Sequence, residues 1–182
     1  MIKSRTPVEP VAQVAFLFAP DAVAVIDIFR ALGDFEVHYD ITALDQLEAR
    51  LADTMSRDEA KSIVSDALLL AFGLRRERYE PLTFSPPGSR KGTFDEYCLL
   101  ALIGATYWHD FDLASDAAES LKIVHYQPLV SLASDIARRL EAAGVRIEAP
   151  DRRMLGGKNE APRIHVESDR ILSGDLKLNF DA

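Results

Sequence analysis

Proline and glycine fall so unevenly along this chain that they set most of its layout. Neither occurs at residues 34–72 or 105–127, whereas both crowd into 81–92 and 150–162. Glycine adds backbone freedom and proline removes a donor, so the dense stretches read as loops and the bare ones as regular structure. The sharpest boundary therefore falls near Gly92. With 182 residues, such a chain buries roughly 70% of its unfolded surface and needs no disulfide or metal as a staple.

Charge narrows the function classes. The 21 basic and 29 acidic residues leave a formal net charge of −8, which disfavours undirected attraction to nucleic acid or to an anionic membrane. Stretches free of charge such as 10–20 and 97–109 are too short to span a bilayer, so no membrane role is expected. Lys3 and Arg5 precede the apolar run 14–18, but Pro7, Glu9 and Pro10 interrupt this start and it does not read as a secretory leader. A lone Cys98 fits a reducing compartment. The expected location is cytoplasmic.

The first half opens with an expected strand at 11–18. Asp21 stands at an N-cap position before Val25, Ile26, Phe29 and Leu32 at helical spacing, with Gly33 as the stop. Phe35, Val37, Tyr39 and Ile41 alternate with polar residues, a period of two that predicts a half-buried strand. Thr42 caps a helix carrying Leu44, Leu47 and Leu51. Ser56 with Glu59 forms a capping box for a third helix, whose apolar face runs from Ala60 to Ala71 and which stops at Gly73.

The second half repeats that order. Thr93 with Glu96 is another capping box, opening a helix through Leu99, Leu100, Ile103 and Tyr107. Phe111 lies in a short link and Asp112 caps a helix with Leu113, Ala117 and Leu121. Gln127 and Pro128 start a third helix, which buries Leu129, Leu132, Ala133, Ile136, Ala137 and Leu140 and stops at Gly144. Residues 145–149 and 163–167 alternate as strands around a polar loop, 151–161.

Residues 112–168, with Arg138-Arg139-Leu140-Glu141-Ala142-Ala143-Gly144-Val145 closing the third helix, resemble the winged helix-turn-helix superfamily. That third helix ends much as the recognition helices of bacterial winged-helix regulators do, and residues 151–159 would be the wing. Caps and stops recur between the halves at offsets of 70–72 residues: Asp21 with Thr93, Thr42 with Asp112, Ser56 with Gln127 and Gly73 with Gly144. The layout predicted is α+β, two winged-helix-like units in tandem with a short C-terminal β element. Residues 1–92 form a winged-helix-like or βαβ-containing unit, 93–168 the winged-helix unit and 169–182 a strand tail. In the tail, Leu176, Leu178 and Phe180 alternate with Lys177 and Asn179 after a Ser173-Gly174-Asp175 turn. The tail is expected to pair with 11–18, or else across a two-fold axis or with another protein, making the chain a homo-oligomer or a subunit.

On that repeat, residues 79–84 and 85–92 would be the first half's wing, and the two wings are the locally basic segments. Residues 75–92 hold five cations against two anions, and 144–163 hold five against three. Basic, glycine-bearing loops suit phosphate contact, and they equally suit a solvated surface. Gln127, Ser131, Ser134 and Arg138 on the outward face of the third helix, with Arg152, Arg153 and Lys158 on the wing, are the candidate nucleic-acid-binding residues. Asp135 on that face, and a net charge of −4 over 94–168, depart from a strong DNA-binding surface.

Catalytic signatures do not appear. His109-Asp110 resembles the metal-dependent HD phosphohydrolases, but His38 and Asp135 stand at the wrong spacing to complete a ligand set, and the pair reads as a helix cap. There is no GxSxG, Walker loop, GxGxxG or HExxH, and Cys98 lies in an apolar run without a basic neighbour. No enzyme activity, metal or cofactor is expected. The functional expectation is a non-enzymatic winged-helix protein binding duplex DNA through the third helix and wing. The alternative is a protein-docking subunit of a DNA-maintenance or defence complex, since the layout is similar to acidic tandem winged-helix subunits that accompany chromosome-maintenance ATPases. A second alternative is an enzyme of another type.

Overall fold

Two capping boxes fix where two of the helices begin. The Ser56 hydroxyl accepts from the Glu59 N–H while the Glu59 carboxylate accepts from the Ser56 N–H, and Thr93 with Glu96 repeats the exchange. The computed structural model describes residues 16–39 and 41–155. Among these, α1 spans Pro20–His38, α2 Ile41–Leu51, α3 Arg57–Glu77, α4 Phe94–Tyr107, α5 Phe111–Ser120 and α6 Gln127–Ala142. Two short strands, β1 Phe16–Leu17 and β2 Lys91–Gly92, pair antiparallel with Phe16 opposite Gly92. The described chain is thus mostly helical with a small antiparallel sheet, broadly α+β. None of its described helices is long and apolar enough to cross a membrane.

The charge-free run at 97–109 becomes the central helix. From Cys98 to Thr106 every residue of α4 is buried, so the helix is enclosed on all sides, by α1, α5 and α6 among others. One hydrophobic cluster draws Phe29 and Leu70 from before Gly92 together with Leu102 and Ile136 from after it. Helices α3 and α6 run antiparallel, as Asp66 meets Arg139 while Glu77 meets His125. Between those two points a Cβ on Gly73 would lie 2.4 Å from Leu129, so the glycine is a notch that lets the helices close.

That notch corrects the sequence expectation for Gly73, because α3 continues through it to Glu77. Gly33 likewise sits inside α1, where an added Cβ would approach the Phe84 ring to 3.1 Å. The strand expected at 35–41 is the last turn of α1 and the start of α2 instead. A helix brings Phe35 and Tyr39 together one turn apart, with ring centroids 6.2 Å from each other. Tyr39 then ends α1 in the left-handed region, at φ 53°.

Other boundaries shift less. Asp110, not Asp112, caps α5 by accepting from the Leu113 N–H, so Phe111 is the first residue of the helix. Thr42 falls inside α2, which starts at Ile41. Gly144 adopts φ 78° just beyond α6, the stop its position predicts. Residues 145–149 form no strand; Ile147 and Pro150 pack on Gly104 of α4. Of the first wing expected at 79–84 and 85–92, only Lys91–Gly92 is strand, and it pairs with β1, so that wing forms no hairpin of its own. Of the strand expected at 11–18, Phe16 and Leu17 are observed, and 11–15, 163–167 and the 169–182 tail lie outside the described residues.

Ile136 and Leu140 face inward and Leu132 is half-buried, as the helical phase of α6 requires. Replacing Leu140 with alanine should cost ~2–5 kcal/mol through the cavity left behind. Urea unfolding with an unchanged m-value measures it, and a loss below about 1 kcal/mol would mean that the site collapses freely.

Candidate functional site

The α6 helix carries the residues expected to read base edges. Gln127, Ser131, Ser134 and Arg138 recur at helical spacing and all four are exposed, so the helix does line them up on one face. Their electrostatic setting differs from the expectation. Asp135 on the same face takes the Arg138 guanidinium at 3.6 Å, and Arg139 turns inward to Asp66 at 2.7 Å.

The described residues of the expected strand and wing, 145–155, lie against the body of the protein. Trp108 donates its indole N–H to the Ile147 carbonyl (3.2 Å), Tyr97 its hydroxyl to the Asp151 carbonyl (2.9 Å) and Ser120 its hydroxyl to the Leu155 carbonyl (3.1 Å). Ile147 and Leu155 are buried by this docking. A 3₁₀ turn at Arg152–Met154 then points both candidate arginines at carboxylates of the same chain. Arg152 donates to Asp116 and Arg153 donates to Asp151 at 2.9 Å. Each hydrogen bond holds its guanidinium charged more firmly than usual, and Arg153 in turn holds the Asp151 carboxyl below its ordinary range. Lys158 lies outside the described residues.

The strongest polar constellation is one that sequence reasoning missed. Arg30, 2% exposed, and Glu96, fully buried, meet at 2.7 Å inside the protein. The same Glu96 oxygen accepts from the Ser85 N–H (2.9 Å), and the other oxygen accepts from the Thr93 N–H (2.7 Å). Arg30 also donates to Asp27 and to the Ser89 carbonyl, both at 2.9 Å, and Asp27 accepts from the Gly88 N–H. One buried ion pair thus holds the 85–91 loop, α1 and the head of α4 together. The signal in the sequence was the Asp27 and Arg30 pair, one turn apart on a stretch of α1 that is otherwise apolar, while the cap role of Glu96 hid its second partner.

A second arginine closes the other side of that loop. Arg78, just past α3, donates to the Leu121 carbonyl (2.7 Å) and to Asp95 (3.2 Å), and Asp95 accepts from both the N–H and the hydroxyl of Thr83. Beside it opens a cleft of about 700 Å³ between α1, α3 and residues 79–84. Phe29, Leu82 and Phe84 give it an apolar floor, with Asp34, Arg75 and Glu80 on the rim.

Two candidate reactive groups take structural roles. Burial, with a smaller contribution from Asp95, pushes the Cys98 thiol up to about 12, so it stays protonated and unreactive at neutral pH. Asp110 caps α5, and His109 bends the chain into that cap at φ 55°. Among the described residues no group of three His, Cys, Asp or Glu side chains is placed to hold a metal. Comparison with known protein families, curated proteins and solved structures finds no match to this chain.

Glu96→Ala should cost ~3–5 kcal/mol, because it strands the buried Arg30 charge and two loop amides. In a double-mutant cycle, Arg30→Met combined with Glu96→Gln should cost less than the two single changes added together. Strict additivity in urea titrations would show that the pair is not coupled.

The raised Cys98 value has its own consequence for stability. A thiol whose ordinary value is 9.0 unfolded and about 12 folded leaves stability intact below pH ~9 and drains it as pH climbs from there towards 12. Cys98→Ala should flatten that part of the melting-temperature profile. A slope identical to that of the parent would exclude the thiol as its cause.

Proposed function

We propose that this chain is a non-enzymatic docking subunit whose α6 side meets another protein. The observation that carries the reading is the pairing of the cations expected to contact phosphate. Arg138, Arg152 and Arg153 are each held by an aspartate of the same chain. Contact with phosphate would have to break those pairs or bring DNA against the carboxylates that make them. Cations paired in this way leave the face no surplus positive charge to draw phosphate, whereas a protein partner needs none. The adjoining α3 adds apolar surface. Leu69 and Phe72 are 54% and 45% exposed, and Leu69 lies one turn from each of two points where α3 touches α6, Asp66 and Gly73. A polar stripe beside exposed apolar anchors is the composition of a protein interface.

The order α4, α5, α6 supports a winged-helix reading of residues 93–168. The docked, strand-free segment at 145–149 gives the wing no first strand and so favours docking over duplex binding. Direct DNA reading keeps one favourable feature, the exposed alignment of Gln127, Ser131, Ser134 and Arg138.

Titration of a labelled duplex at physiological salt separates the two. The expected result is no affinity beyond the non-specific range of ~10⁻⁴–10⁻⁶ M, unchanged in an Arg138→Ala, Arg152→Glu, Arg153→Glu variant. Tight binding that falls steeply with salt and disappears in that variant would overturn the docking reading. On the complex the protein forms in its native host, Leu69→Asp should raise Kd at least about tenfold while leaving the melting temperature unchanged. A complex that ignores the change would place the interface elsewhere.

A further inference from the structure

The outer side of α3 is basic in a chain that is acidic overall. Lys61, Ser65, Phe72 and Arg76 fall along one exposed line of the helix, and Leu69 flanks that line towards α6. Most acids of α3 are engaged elsewhere. Glu59 closes the capping box, Asp66 takes Arg139 and Glu77 takes His125. The remaining one, Asp58, is exposed at the head of the helix beside Arg57. Among the described residues neither Lys61 nor Arg76 meets a carboxylate.

Apolar surface lies between those two cations. Leu69 and Phe72, three residues apart, are both about half in solvent, and half-buried Leu68 sits one turn before Phe72. On the flank away from α6, Ala71 leads into the cleft whose floor is Phe29, Leu82 and Phe84. An apolar strip thus runs from Leu69 across Phe72 to the cleft, with Lys61 and Arg76 at its ends, roughly 22 Å apart along the helix axis. The amides and carbonyls along the strip are used within α3 itself, so a partner has to be recognised by side chains.

We propose, building on the docking reading above, that the α3 face takes an acidic amphipathic helix of another protein. Apolar residues recurring every three or four positions on such a helix cover Leu69 and Phe72. Acids on its flanks reach Lys61 and Arg76, which have no carboxylate of their own to give up first. A basic helix would bury the same apolar surface while setting like charges against both cations, and juxtaposition of that kind rejects a partner.

Two labelled peptides of about 15 residues, long enough to cover the strip, test the proposal on the full chain by fluorescence anisotropy. One is a helix with leucines on one face and glutamates on both flanks; its twin has lysine for each glutamate. The acidic peptide should bind at least about tenfold more tightly than the twin, and a Lys61→Glu, Arg76→Glu variant should reverse that order. Equal binding of the two, binding of neither, or an order unchanged in the variant would overturn the proposal. Both residues are exposed, so the melting temperature should match that of the parent. If the reversal lowers it, Lys61→Gln with Arg76→Gln should still bring the two peptides within about threefold of each other, and a preserved gap overturns the proposal equally. The docking reading falls separately, when the native complex ignores Leu69→Asp. A native complex lost in that variant yet indifferent to the charge reversal rejects the acidic partner alone.

Discussion

The buried pair of Arg30 and Glu96 is the contact around which the rest is arranged. Loop 85–91 contains two prolines and has no backbone ladder of its own before β2 begins. It is held by side chains: Glu96 takes the Ser85 N–H, Asp27 the Gly88 N–H, and Arg30 donates to the Ser89 carbonyl. Burying two full charges is costly, and only this density of partners makes it tolerable. Fixing the loop also places β2, and β2 holds β1 and carries the Phe16 ring onto Tyr97. The same glutamate begins α4, the helix that the core encloses. Position, more than energy, is what the pair supplies.

Much of the helical layout was legible because it rests on local chemistry. The capping boxes at Ser56 and Thr93, Pro128 in the first turn of α6 and Gly144 beyond its end act over three or four residues, and each does what its spacing implies. The errors arose where tertiary contacts reassigned a local signal. Gly33 and Gly73 looked like stops, yet each lies inside a helix at a point of close approach, to Phe84 and to Leu129. A glycine notch and a glycine stop are the same letter, and only the partner distinguishes them. The alternation at 35–41 failed for a related reason. A period of two marks a strand only when another strand is there to pair with it, and a helix uses the Phe35 to Tyr39 spacing as well.

The segment after α6 shows how a correct pattern can carry a wrong element. Val145 and Ile147 alternate with Arg146 and Glu148, and one side is indeed covered: Ile147 is buried while Arg146 and Glu148 are exposed. What covers it is α4, through Gly104 and the Trp108 indole, without any strand beside it. A single extended strap on a helix gives the same hydrophobic alternation as the edge of a sheet. Its backbone groups must then be met by side chains, as the Ile147, Asp151 and Leu155 carbonyls are by Trp108, Tyr97 and Ser120.

The candidate site was legible as a row of residues and illegible as an electric field. Counting charges in a window made 144–163 basic, but a field is set by neighbours in space within a Debye length of about 8–10 Å. The acid that meets Arg152 lies 36 positions earlier, on α5, and the one that meets Arg139 lies 73 positions earlier, on α3. Neither belongs to any window drawn around the arginines. Folding thus brings part of the chain's excess of aspartate and glutamate to the places where sequence shows local positive charge. Arg152 fastens the 152–154 turn to α5, and Arg139 fastens α6 to α3.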